Sequence, residues 1–126
     1  MPAPLSGLSV LLVEDDEELC TLTTLVLEEE GATVRAARSR LELERLEPAF
    51  CPQLALLDAR LPDSDGAEVS AIVRTAWPSA VQVLVSGDVE RVEEWKRDGG
   101  WVLSKPYDLG ELIVTVARAS GRRVVA

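Results

Sequence analysis

The sequence predicts an α/β domain in which a parallel sheet is covered by helices on both faces. Short apolar runs alternate with helical stretches five times along the 126 residues. The third run, residues 54–57, is apolar without a break, as in a strand that is buried on both faces. Because right-handed crossovers place helices on both sides of a sheet, five strands that alternate with five helices favour a parallel arrangement.

The apolar runs define the predicted strands, which in chain order cover residues 8–13, 33–37, 54–57, 81–85 and 101–104. The predicted helices cover residues 17–30, 40–47, 88–97 and 109–120, together with one that follows the loop 61–66. Gly31 lies just past the first helix, where a left-handed residue is favoured. Pro48 is expected to end the second helix, because proline cannot continue the hydrogen-bond ladder.

Apolar spacing and capping patterns support these helices. The apolar positions are Leu19, Leu22 and Val26 in the first helix, Val69, Ile72, Val73, Ala76 and Trp77 in the third, and Leu109, Leu112, Ile113, Val116 and Ala117 in the last. Four helix starts resemble capping boxes, with the pairs Asp15 and Glu18, Ser39 and Glu42, Asp65 and Glu68, and Asp108 and Glu111.

The composition limits the functions open to the chain. Its length fits one domain, residues 1–126, with a core over about 8–120. The net charge of −9 disfavours direct contact with nucleic acid or with an anionic membrane. The sequence contains no histidine, which excludes Ser-His and Cys-His catalysis. With two free thiols expected at Cys20 and Cys51, no signal-peptide pattern and no membrane-length apolar run, we expect a cytoplasmic protein.

Polar residues follow four of the five predicted strands at the point where each strand ends. They are Glu14, Asp15 and Asp16 after the first strand, Asp58 after the third, Ser86 after the fourth and Lys105 after the fifth. Because the carboxyl ends of parallel strands share one edge of a sheet, these groups are expected to converge there. Ligands bind at this edge in α/β folds.

These residue types suit phosphoryl transfer. Crowded carboxylates repel one another unless a cation neutralises them, and Mg²⁺ binds carboxylates while leaving room for phosphate oxygens. The Asp58 carboxylate is a competent nucleophile toward phosphorus. The Lys105 ammonium and the Ser86 hydroxyl would then stabilise the charge that the phosphoryl group brings.

The same motifs, in chain order, resemble those of the receiver domains of two-component signalling over roughly residues 8–120. They are Glu14-Asp15, Asp58 in LLDARLPDSDG, Ser86-Gly87, and Lys105-Pro106, which resembles the family's lysine and implies a cis peptide bond to the proline. The resemblance implies a flavodoxin-like, doubly wound, five-stranded parallel sheet of order 2-1-3-4-5 with five helices. It also implies that Asp15, Asp58 and the Arg60 carbonyl bind Mg²⁺, with Glu14 behind a water, and that Ser86 and Lys105 hold the phosphoryl oxygens.

The function implied is that of a phosphoacceptor and not of an enzyme, apart from self-catalysed phosphorylation and dephosphorylation. Asp58 would receive its phosphoryl group from a sensor histidine kinase or a histidine phosphotransfer protein. Phosphorylation would switch the face formed by helix 4, strand 5 and helix 5, which also offers a homodimer contact. Output would reach a downstream protein target, or an output domain if the chain is part of a longer protein.

Other interpretations remain open. Asp15 and Asp16 also suit a simple helix cap. A pseudo-receiver would keep the fold without the switch, and Val102 favours it slightly because many receivers carry a tyrosine or phenylalanine there. Trp101 is expected on the opposite face of the strand and cannot replace that aromatic.

Two enzyme classes fit less well. A small phosphatase needs a general acid, for which the loop offers Asp63. A flavin carrier needs a phosphate-binding loop after the first strand, where acids would repel the phosphate. Arg60 and Asp88 are predicted to flank the pocket, and an ion pair between them is a hypothesis for what sets phosphoryl lifetime.

Overall fold

The computed structural model describes residues 3–58 and 60–123, and for Arg60 it describes the backbone alone. Five parallel strands form one sheet: β1 Ser9–Val13, β2 Thr33–Ala37, β3 Leu54–Asp58, β4 Val81–Ser86 and β5 Trp101–Ser104. Their order across the sheet is β2-β1-β3-β4-β5. The predicted fold class and strand order are therefore confirmed.

The described part of the chain has five helices, four that connect successive strands and one that follows the last strand: α1 Glu17–Glu29, α2 Arg40–Glu44, α3 Gly66–Ala76, α4 Val89–Arg97 and α5 Leu109–Ala119. A short antiparallel ribbon, Arg60–Leu61 paired with Ser64–Asp65, lies between β3 and α3 and was not predicted. Among the described residues, no helix combines the length and the apolar character needed to span a bilayer.

The core lies on both faces of the sheet because successive strand side chains point to opposite sides. Leu54 and Leu56 of β3 pack in the cluster that contains buried residues of α1 and α5. Ala55 and Leu57 pack in the other cluster, with buried residues of α2 and α3. All of β3 is buried, so Asp58 is carried to the sheet edge by the most enclosed strand.

The helix ends that differ from the prediction do so by one residue, except that α2 ends three residues early. α2 ends at Glu44, not at residue 47, because Pro48 disfavours helical geometry at the residue before it and the last turn is lost. Trp77 is the C-cap of α3 and lies outside the helix, and its indole nitrogen donates to the Phe50 carbonyl at 2.9 Å. The two cysteines are free thiols, as predicted.

The predicted apolar stripe of α1 was wrong at Leu22, whereas Val26 packs against the core as predicted. The buried residues are Cys20, Thr23 and Leu27, whereas Leu22 is 46% exposed. α1 carries leucines on more than one face, so apolar spacing alone could not determine which face packs on the sheet. Leu109 was predicted in the apolar stripe of α5, but it is the first residue of that helix and is exposed to solvent.

Helix capping confirms three of the four predicted N-caps and corrects the fourth. Three side chains each accept from the backbone N–H three residues later: the hydroxyl of Ser39 and the carboxylates of Asp65 and Asp108. The cap of α1 is Asp16, whose Oδ1 accepts from the Leu19 N–H at 2.9 Å, and not Asp15 as predicted. This shift leaves Asp15 available for another role.

We expect Asp16→Ala to lower the free energy of unfolding by about 1 kcal/mol, because a backbone donor at the start of α1 loses its acceptor. Asp15→Ala removes the same charge without removing the cap and should not destabilise the fold. Urea denaturation of the two variants in buffer without divalent cations measures the difference. Equal losses in both would contradict the assignment of the cap.

Candidate functional site

The three acids after β1 have three different environments. The backbone N–H of Glu14 donates to the Ala37 carbonyl at 3.1 Å, which continues the β1–β2 ladder by one residue. The Glu14 side chain is only 5% exposed, whereas Asp15 is exposed. Asp16 turns away to cap α1, so two of the three carboxylates remain at the sheet edge.

Asp58 is the last residue of β3 and not the first residue after it, as the sequence had suggested. It is buried, and among the described residues its carboxylate forms a group with those of Glu14 and Asp15. One oxygen from each of the three lies within 4.8 Å of the others. The predicted convergence of acids from β1 and β3 is therefore present.

Lys105 brings a positive charge to these carboxylates from the end of β5. Its Nζ donates to Oδ2 of Asp58 at 2.7 Å, and its backbone N–H donates to the Ser86 carbonyl at 2.9 Å. The peptide bond to Pro106 is cis, as the resemblance implied. The backbone contact extends the β4–β5 pairing and fixes the direction from which the lysine reaches Asp58.

Burial and the charge of Asp58 shift the pKa values of Glu14 and Lys105 in the pocket. Burial first, and then the hydrogen bond with Asp58 and the charge of Asp58, together raise the pKa of Glu14 to about 8. Burial works to lower the pKa of Lys105, but the hydrogen bond and charge of Asp58 outweigh it and raise this pKa above its ordinary value. Lys105 is therefore an ammonium, and Glu14 retains a proton near neutral pH.

Ser86 lies on the strand next to Asp58. Val85 is the register partner of Asp58, so Ser86 is one residue farther toward the sheet edge, and it is buried. Its Oγ accepts from the backbone N–H of Asp88 at 3.0 Å. The Asp88 carboxylate caps α4 by accepting from the Arg91 N–H, which connects Ser86 to the start of that helix.

The proposed ion pair between Arg60 and Asp88 stays a prediction, because the Arg60 side chain lies outside the described residues. The Arg60 backbone begins the short ribbon, two residues after Asp58. Tyr107 is a neighbour that the sequence did not reveal. Burial raises the pKa of its hydroxyl above the ordinary value, although a hydrogen bond with Thr23 and the charge of Lys105 work to lower it. Only its place after Lys105-Pro106 could have pointed to the pocket.

The pocket has the chemistry of a site for a hard divalent cation. Three carboxylates face one another, one of them is held protonated by burial and repulsion, and the Lys105 ammonium contacts Asp58. A cation with oxygen ligands would relieve this repulsion and allow Glu14 to ionise. The residues present therefore fit Mg²⁺.

Comparison with known proteins identifies the family. Residues 10–117 match the family model for the response regulator receiver domain. The chain belongs to this family. It is 34% identical over 110 residues to the transcriptional regulatory protein CpxR homolog of Haemophilus influenzae, covering 85% of this chain and 48% of that protein. It is 36% identical over 109 residues to the KDP operon transcriptional regulatory protein KdpE of Escherichia coli, covering 82% of this chain and 47% of that protein.

Solved receiver structures share the fold. The HemR receiver domain of Leptospira biflexa superposes with a TM-score of 0.80 at 24% identity, over 95% of this chain and 99% of that one. A CheY-like receiver domain protein of Methanospirillum hungatei superposes with a TM-score of 0.79 at 26% identity, over 92% of this chain and 95% of that one. The receiver spans about half the length of these two regulatory proteins. The predicted family is confirmed, and with it the phosphoacceptor function of receiver domains.

Proposed function

We propose that Asp58 is the phosphoacceptor of a single receiver domain, residues 1–126, and that its donor is a sensor histidine kinase or a histidine phosphotransfer protein in the cytoplasm. The observation that carries the proposal is the 2.7 Å contact between Lys105 Nζ and Asp58 Oδ2 beside two further carboxylates. A buried carboxylate with a cation at one oxygen and acids beside it is poised to exchange partners with a metal and a phosphoryl group.

In the proposed reaction a carboxylate oxygen of Asp58 attacks the phosphorus of a phosphohistidine. An O–P bond forms to give an acyl phosphate, the P–N bond breaks, and the imidazole of the donor leaves. Lys105 contacts Asp58 beforehand and would transfer its hydrogen bond to a phosphoryl oxygen. The Ser86 hydroxyl, one residue beyond the level of Asp58, would donate to another.

Asp15, Asp58 and the Arg60 carbonyl would hold Mg²⁺, with Glu14 behind a water. The ion would neutralise charge on the carboxylates and on the transferred group. The donor set is supported by the grouping of Glu14, Asp15 and Asp58 within 4.8 Å. Any catalysis by the chain itself would be limited to its own phosphorylation and dephosphorylation.

The output of the switch is proposed to leave through the face formed by α4, β5 and α5. Ser86 contacts the start of α4 through the Asp88 N–H, so movement of Ser86 toward a phosphoryl oxygen would disturb that helix. Because the matched relatives are transcriptional regulators about twice as long, an output domain joined to this receiver is one route, and a separate protein target or a second copy is another.

The proposal is tested by incubation with acetyl phosphate and Mg²⁺, followed by intact-mass measurement. We expect the gain of one acid-labile phosphoryl group, its loss in Asp58→Asn, and its loss when EDTA replaces Mg²⁺. Asp16→Asn is the matched control, because it removes a neighbouring carboxylate that caps α1 and keeps an oxygen acceptor.

A pseudo-receiver is the second candidate, favoured by Val102 at the position of the usual aromatic. It predicts that the wild-type protein gains no mass under the same conditions. A gain that persists in Asp58→Asn would instead place the phosphoryl group elsewhere and overturn the assignment of the acceptor.

A further inference from the structure

A side chain outside the acidic pocket anchors the loop that follows Asp58. Asp63 lies at the turn between the two halves of the ribbon, and both of its oxygens accept from the backbone of α2. Oδ1 accepts from the Arg40 N–H at 2.8 Å, and Oδ2 accepts from the Leu41 N–H at 3.3 Å. These bonds, led by the one from Arg40, lower the pKa of Asp63. Asp63 is thus an acceptor, which argues further against the phosphatase alternative, for which it was the candidate general acid.

The anchor also completes the N-terminus of α2. Ser39 Oγ accepts from the Glu42 N–H at 3.1 Å, so with Asp63 the first three backbone donors of the helix all have side-chain acceptors. A helix as short as α2, Arg40–Glu44, is not stable in isolation. It therefore depends on Asp63, which lies far along the chain, for acceptors of its first two backbone N–H groups.

A second set of contacts closes a ring around the ribbon. The Arg40 guanidinium donates through Nη1 to Glu68 Oε2 at 3.0 Å, and Ser64 Oγ donates to the same oxygen at 3.1 Å. The path runs from α2 through Asp63 to Ser64, then through Glu68 in α3 and back to Arg40. Charge-assisted bonds of this kind restrict the ribbon from both neighbouring helices.

The ribbon needs such support because it consists of two residue pairs, far fewer than an isolated hairpin requires for stability. Its first residue is Arg60, whose carbonyl position is set entirely by the backbone. Metal affinity depends on how well ligands are held in place, and partners outside the ligand set change it by roughly 10–100-fold.

We propose that Asp63 is a positioning residue that anchors the ribbon to α2 and thereby holds the Arg60 backbone in place for Mg²⁺. This inference rests on the proposed function, because it takes Arg60 as a metal ligand. Binding linkage is reciprocal, so Mg²⁺ in the pocket must in turn strengthen the contact between Asp63 and α2.

The experiment compares wild-type protein with Asp63→Ala and Asp63→Asn by calorimetric titration with Mg²⁺. We expect affinity to fall about tenfold in Asp63→Ala and by less in Asp63→Asn, which keeps one oxygen acceptor. Amide exchange of Arg40 and Leu41, followed by NMR, should slow when Mg²⁺ is added to the wild-type protein. In Asp63→Ala these amides should exchange fast with or without Mg²⁺.

Glu47→Ala is the matched control, because it removes an exposed carboxylate beyond the end of α2 without touching the ribbon. An affinity in Asp63→Ala equal to that of this control, or Mg²⁺-independent exchange in the wild-type protein, would overturn the positioning role. If the positioning role fails in this way but the wild-type protein is phosphorylated on Asp58, the proposed function stands. If the wild-type protein neither binds Mg²⁺ nor is phosphorylated, both proposals fail together.

Discussion

Lys105→Met should lower the free energy of unfolding by about 2 kcal/mol in buffer without divalent cations. The substitution keeps the apolar stem and removes the ammonium that contacts Asp58 Oδ2 at 2.7 Å. Asp58 is buried, so its charge would lose the compensation that Lys105 provides while Glu14 and Asp15 remain beside it. The effect stays below that for a fully buried pair because 34% of the Lys105 side chain is exposed to solvent.

Millimolar Mg²⁺ should reduce this loss, because the ion would take over the neutralisation of the carboxylates. Urea denaturation with EDTA and with Mg²⁺ measures both quantities. The control is Lys96→Met, which removes the other lysine of the chain from an exposed position on α4. A similar loss for both lysines, unaffected by Mg²⁺, would show that the contact with Asp58 does not stabilise the fold.

Without divalent cations, the stability of the protein should fall as the pH rises from about 4.5 to about 8, with a slope of roughly 1 kcal/mol per pH unit in the middle of that window. Burial first, and then Asp58, raise the pKa of Glu14 from 4.5 to about 8 in the folded protein. Between these values the folded state binds a proton that the unfolded chain has released. Stability from this group is therefore present at low pH and lost as the pH approaches 8.

Glu14→Gln should flatten this pH dependence, because glutamine has no proton to lose. Glu47→Gln serves as control, since it alters an exposed glutamate away from the pocket and should keep the wild-type slope. Chemical denaturation at several pH values in EDTA gives the slopes. Parallel slopes for the wild-type protein and Glu14→Gln would mean that Glu14 ionises normally in the folded state.

Most of the fold was predictable because two independent signals agreed. Apolar runs located all five strands, and capping residues such as Ser39 and Asp108 located helix starts. The signals failed where the sequence offered two equivalent choices. α1 could bury either of two neighbouring stripes, and either Asp15 or Asp16 could have capped it. Only the direction in which the chain leaves β1 decides between them, and that direction depends on the packed sheet.

The site was predictable as a set of residues but not as a set of contacts. The rule that strand ends converge brought Asp58 and Lys105 together, and the structure gives them a direct bond. The bonds of Asp63 to α2 had no signal in the sequence, because the partners are far apart along the chain and the donors are backbone groups. By residue type alone, Asp63 looks like any aspartate that caps or turns its own local backbone. Tyr107 likewise had no pattern that pointed to Thr23.

The three successive acids after β1 have a consequence for sequence variation in this stretch. Position 14 carries a buried carboxylate, position 15 an exposed carboxylate that still joins the group with Asp58, and position 16 a short acceptor one residue before a helix. Exchanging the glutamate with either aspartate preserves composition and net charge, yet it alters reach at both of the exchanged positions. Substitutions that similarity scores treat as conservative are therefore expected to be selected against here.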